Sequence, residues 1–151
     1  MKEFEEKFSE LQADMISICM EYVEDRADKV YVYASCEEGI TSSSFFYKIN
    51  DKYVERHKLN DVIEELDEEY DVSPNRQSMV LDILNENIGE IKKLCKEYER
   101  DMPTEMKLIY DVKSGNFKAE YKYELVYTHD EVKIASDIAS EWFEEIKNSN
   151  F

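Results

Sequence analysis

Two histidines, three cysteines and a run of three serines are the side chains of this 151-residue sequence best suited to nucleophilic or metal chemistry. His57 sits in Glu55-Arg56-His57-Lys58, which reads as a solvated strand end, and His129 falls in the first turn of an expected helix. No HExxH, EF-hand loop or CxxC surrounds them, so no zinc or calcium set is expected. Cys19 and Cys95 fall on apolar helix faces and Cys36 in a strand, the pattern of buried thiols in a reducing compartment. Ser42-Ser43-Ser44 lacks a GxSxG frame and reads as the start of a strand. The three glycines are too far apart for a dinucleotide or phosphate loop, and Ser114-Gly115-Asn116 is a hairpin turn. No cofactor is expected.

Carboxylates are the remaining chemistry. A glycosidase needs two, about 5–9.5 Å apart, but among 36 acids such pairs arise by chance. A sugar cleft also favours several tryptophans, and Trp142 is alone and placed for a helix core. A small carboxylate-dependent hydrolase is therefore the alternative, and a binding protein without enzymatic activity the leading expectation. Against 19 basic residues the acids give a formal charge of −17. Such a chain repels nucleic acid and anionic membranes and attracts a partner with a basic surface. The acids are densest at Glu64, Glu65, Asp67, Glu68, Glu69 and Asp71, six of eight consecutive residues, with Leu66 and Tyr70 between them. This segment, Tyr70 included, is the expected partner-binding site, with Tyr53 and Tyr127 as further candidate aromatic contacts.

The elements that position these residues can be read from periodicity. Hydrophobic residues are 42% and aromatic residues 13%, too many for a disordered acidic tail. Residues 1–151 are expected to form a single α+β domain. No apolar run approaches the roughly 20 residues of a membrane span, and the acidic N-terminus is no signal peptide, so a cytoplasmic protein is expected. Apolar residues spaced three and four apart predict a helix from Lys2 to Glu24. Val30, Val32, Ala34 and Cys36 alternate with Tyr31, Tyr33 and Ser35, a strand over Lys29–Glu37 covered on both faces. Strands at Ser43–Ile49 and Lys52–Lys58 complete a meander. Ser73-Pro74 signals a helix start, and the helix runs to Arg100. Gly89 inside it points to a close neighbour. Met106–Val112 and Phe117–Leu125 form a hairpin with one wet side. A capping box of Thr128 and Glu131 opens the last helix. The sum is an antiparallel sheet of about five strands with N-terminal, central and C-terminal helices packed on one face.

The segments Met102-Pro103-Thr104-Glu105-Met106-Lys107-Leu108-Ile109-Tyr110-Asp111-Val112 and Ser114-Gly115-Asn116-Phe117-Lys118-Ala119-Glu120-Tyr121-Lys122-Tyr123 resemble the C-terminal hairpin of the YezG-like immunity (antitoxin) family. Lys29-Val30-Tyr31-Val32-Tyr33-Ala34 and Phe45-Phe46-Tyr47 resemble its first strands. The resemblance implies an antitoxin that binds a cognate secreted polymorphic toxin, notably an LXG-type nuclease exported by type VII secretion. It implies no catalytic residues. A nuclease holds a polyanion in a basic groove, and a strongly acidic protein can fill that groove without chemistry. An adaptor or chaperone for a basic export substrate is the other binding role open to such a chain.

Overall fold

The computed structural model describes residues 2–128 and 133–149. Five strands form one antiparallel sheet in the order β3-β2-β1-β4-β5, where β1 is Lys29–Glu37, β2 Ile40–Ile49, β3 Lys52–Glu55, β4 Glu105–Asp111 and β5 Phe117–Lys122. Helix α1 spans Lys2–Tyr22, α2 Pro74–Glu97 and α3 Ala135–Ser149. The architecture is α+β, as the periodicities predict. Two hairpins are tight because their central pairs take positive φ, Glu38 and Gly39 in one, Asn50 and Asp51 in the other. That left-handed pair matches the twist of the strands it joins.

Strand β1 is the middle of the sheet, and its two side-chain sets face two cores. Val32 lies between Phe45 and Leu108, and the face it belongs to carries Val30, Ala34, Tyr47, Val54 and Met106. Helices α1 and α2 pack there through Met15, Cys19, Leu84, Ile88 and Ile91, all fully buried. On the other face Tyr31 stacks on Phe46 with ring centres 4.6 Å apart. Trp142 meets Phe46 edge-on at 5.1 Å and Tyr31 at 5.9 Å, and Phe143 meets Phe46 at 5.0 Å. The helices therefore lie on both faces, α1 and α2 on one and α3 on the other, rather than on one face as expected. The double burial of β1 already requires this, since Tyr31 and Tyr33 need a cover of their own.

Element ends show where long-range contacts override local pattern. Helix α1 stops at Tyr22 because Glu24 turns left-handed, with Glu24 N bonding Glu21 O and Asp25 N bonding Met20 O, a Schellman closure. Strand β3 ends at Glu55 rather than Lys58. Residues Arg56–Asp61 wind into a 3-10 helix, with Arg56 Nη1 donating to Ser44 Oγ at 2.9 Å and Tyr22 Oη donating to the Arg56 carbonyl at 3.0 Å. His57 is thus an exposed helical residue, and His129 lies outside the described residues. Ser73 caps α2 as expected, accepting from Arg76 N, with Pro74 in first position. Strand β5 ends at Lys122 and α3 begins only at Ala135. The capping partner Glu131 is outside the described residues, and Thr128 is held by Glu37 instead.

Gly89 has no close neighbour: a Cβ built on it meets nothing within 4 Å. Gly89→Ala is therefore expected to stabilise the fold by about 1 kcal/mol, the helical cost of glycine. Urea denaturation checks this, and an unchanged or lower midpoint would contradict it.

Candidate functional site

The acidic segment forms an ordered loop between the 3-10 helix and α2. Its base is clamped by Asn60, whose Oδ1 accepts from Tyr70 N at 2.7 Å and whose Nδ2 donates to Tyr70 O at 3.1 Å. Asn50 Nδ2 holds the near end through Val62 O at 2.9 Å. Within the loop Asp67 Oδ2 accepts from Glu64 N, and Asp67 N donates to Glu64 O. This turn puts Leu66 at the tip, 98% exposed between Glu65 and Asp67. Asp71 Oδ1 accepts from Ser73 N at 3.0 Å, and bonding to Ser73 holds its carboxyl below the usual range.

Glu64, Glu65, Asp67, Glu68, Glu69 and Asp71 all stand exposed, but Tyr70 does not. Its ring is 5% exposed beneath the Arg26 guanidinium, 4.0 Å from the ring centre. Burial pushes the phenol upward, partly opposed by Arg26. Tyr70 is the plug that fixes the loop, so it is buried where the sequence predicts an exposed contact aromatic. The exposed apolar residue of the segment is Leu66. Tyr53 and Tyr127 are half-buried, and Tyr127 Oη lies 3.2 Å from Ser35 Oγ.

The fold brings further acids to this loop. Arg26 Nη2 donates to Glu68 O at 2.9 Å while its Nη1 reaches Glu24, which joins the turn after α1 to the loop. Asp51 N donates to Asp28 Oδ2 at 3.2 Å, joining the β2–β3 turn to the start of β1. Glu24, Asp25, Asp28 and Asp51 thus extend one acidic pole. No local pattern marks them, but the order helix, strand, hairpin already places the α1–β1 and β2–β3 connections at one end of the sheet.

An open apolar groove runs along α1 toward the same end. It has a volume of about 640 Å³ and is lined by Ala13, Ile16, Met20, Tyr110, Val112 and Phe117, with Glu21 and Asp25 at its margin. Alternation along Phe117, Ala119, Tyr121, Tyr123 and Leu125 predicts a covered face. Yet Phe117 is 44% exposed, Tyr123 57% and Leu125 42%. The helix layer lies chiefly over β1 and β2, so β5 extends past it. Gln12 Nε2 donates to Tyr121 Oη at 2.7 Å and Phe8 packs on that ring at 5.8 Å, which bridges α1 and β5.

Two buried carboxylates have structural partners. Glu37, 1% exposed, accepts from the amides of Val126, Tyr127 and Thr128 and from the Thr128 hydroxyl. Burial acts to raise its pKa, but these four donors outweigh it and hold the group below the ordinary glutamate range. Glu105, 2% exposed, accepts from Tyr33 Oη at 2.9 Å, with Lys122 Nζ at 3.6 Å and Lys107 Nζ at 3.9 Å. Glu37, Asp71 and Asp111 are all shifted downward, opposite to the shift a general acid needs. Cys19, Cys36 and Cys95 are buried free thiols, each pushed upward by burial and so poorly nucleophilic. Among the described residues no group of three or more metal-ligating side chains could hold an ion, and no helix is long and apolar enough to cross a membrane.

Glu37→Gln is expected to cost about 1.5–3 kcal/mol at neutral pH, since charge-assisted bonds to the 126–128 segment are lost. A depressed folded-state pKa contributes stability above the unfolded value, and that contribution disappears as pH falls through the folded one. The gap between the two proteins should therefore narrow below about pH 4. Denaturation at both pH values checks this; a gap that widens with acid would contradict it.

The family model described as "Immunity protein YezG-like" matches residues 8–144, most of the chain. No curated protein matches.

Proposed function

Because the chain belongs to the YezG-like immunity protein family, we propose that it neutralises a cognate secreted bacterial toxin by stoichiometric binding, that the toxin is a nuclease, and that the acidic pole occupies its cationic groove. The observation that carries the electrostatic part is the loop of residues 64–71, clamped at its base and exposing six carboxylates around Leu66. A fixed acidic loop loses little conformational entropy on docking. Glu24, Asp25, Asp28 and Asp51 add to the same field, which steers a cationic partner from solution. Leu66 supplies what charge alone lacks, an apolar contact that slows dissociation once water is excluded. The reaction needs no chemistry from this chain: inhibition follows from excluding a polyanionic substrate.

Co-expression with the cognate toxin tests the reading. Cells carrying both are expected to grow, and the purified complex to show no nuclease activity. Killing that continues in the presence of this chain would overturn the proposal. A complex that forms but stays active would assign the chain to an adaptor role instead.

A further inference from the structure

We propose that the outer edge of β5 pairs antiparallel with β5 of a second copy of this chain, about a two-fold axis at Ala119. Among the described residues strand β5 has a neighbour on one side only, β4. The bond from Asp111 N to Asn116 O fixes the alternation of the hairpin. Given the register Tyr110↔Phe117 to Glu105↔Lys122, the backbone groups of Lys118 and Glu120 point inward to β4, and those of Phe117, Ala119 and Tyr121 point to the open edge. Native sheets blunt an edge with proline, a bulge, a cover or charged side chains, lysine above all. Among the described residues this edge has no proline, bulge or cover; its charges, Lys118, Glu120 and Lys122, are of mixed sign, and it carries Phe117 and Tyr121, 44% and 37% exposed.

The sequence of the strand, Phe-Lys-Ala-Glu-Tyr-Lys, is complementary to itself in one register. Centred on Ala119, the hydrogen-bonding pairs are Ala119 with Ala119 and Phe117 with Tyr121. Lys118 of one protomer then faces Glu120 of its partner, and this charge pair occurs twice. The adjacent registers that keep the faces matched are both penalised. Centring on Lys118 sets that lysine against itself; centring on Glu120 sets glutamate against glutamate and Lys118 against Lys122. Opposite charges stabilise a cross-strand pair and like charges oppose it.

Global charge favours the same site. The chain carries −17, so association at most surfaces meets repulsion. Two lysines and one glutamate make β5 net positive by one (+2 − 1), with Lys107 on the neighbouring strand. Tyr121 is already positioned by Gln12 and Phe8, so ordering it costs little on pairing. The acidic pole is built from the loop after the 3-10 helix and the turns of α1–β1 and β2–β3, so this proposal does not rest on the toxin-binding reading.

Sedimentation velocity of the full chain, up to about 100 µM to capture a small interface, is the test. A concentration-dependent dimer is expected. Lys118→Glu should weaken it at least about tenfold by opposing two charge pairs. Lys93→Glu makes the same change in net charge at an exposed site on α2 and should leave dimerisation nearly unaltered. The double variant Lys118→Glu with Glu120→Lys restores both charge pairs in this register and should recover the dimer. A monomer at every concentration would overturn the proposal. So would equal weakening by the β5 and α2 variants, or a double variant no better than Lys118→Glu alone.

Discussion

Replacing Glu64, Glu65, Glu68 and Glu69 together with glutamine is expected to slow association with the cognate toxin at least about tenfold at low salt. These four are chosen because the carboxylates of Asp67 and Asp71 hold loop amides, and altering them would confuse charge with loop geometry. Steering acts over a Debye length of about 10 Å at 0.1 M salt. The native on-rate should therefore fall steeply with added salt while that of the variant stays nearly flat. Dissociation should change less, because solvated rim charges govern encounter more than residence. Leu66→Ala should do the reverse, leaving the on-rate intact and speeding release. Stopped-flow kinetics across a salt series separates the two. An on-rate unmoved by removing four charges would take this loop out of the interface.

Trp142→Ala is expected to destabilise the fold by about 3–5 kcal/mol, the usual cost of deleting a buried large aromatic. The ring is 4% exposed and touches Tyr31, Tyr33 and Phe46 of two strands, with Lys107 Nζ 5.7 Å from its centre. It is the largest side chain that α3 contributes to the second core, so its loss frees much of that face to water. Total stabilities of about 5–15 kcal/mol make this a large fraction. Urea unfolding followed by far-UV circular dichroism measures it. As the only tryptophan, Trp142 also reports on itself: native emission should be blue-shifted and move red when α3 detaches. A loss under about 1 kcal/mol would contradict packing of α3 on the sheet.

Much of this fold is local in origin and so legible in the sequence. Val30 and Val32 alternating with Tyr31 and Tyr33 announce a central strand, and Ser73-Pro74 announces a helix, because each pattern acts within a few residues. Thr128 shows the limit. Its capping-box signature is sound locally, but Glu37 from the end of β1 takes both its amide and its hydroxyl, and α3 starts later. No window of neighbours contains that competitor. Tyr70 fails for the same reason: its cover, Arg26, lies in the turn after α1. The acidic loop itself is visible in the sequence because charge density needs no partner to be counted. The acids that join it from other turns, and the exposure of Phe117 and Tyr123, depend on which strands the helix layer reaches.

The centre of the sheet has a consequence for synthesis. Strand β1 meets β2 across a tight turn, but its other side waits for β4, which begins at Glu105. As the chain emerges from the ribosome, its most apolar strand keeps one flank unsatisfied until more than half of the polypeptide has been made. Late-arriving, non-local pairing of this kind slows folding and exposes intermediates to aggregation. Under the proposed function, a newly made copy would therefore protect only after β4 has docked on β1, a delay set by topology rather than by affinity.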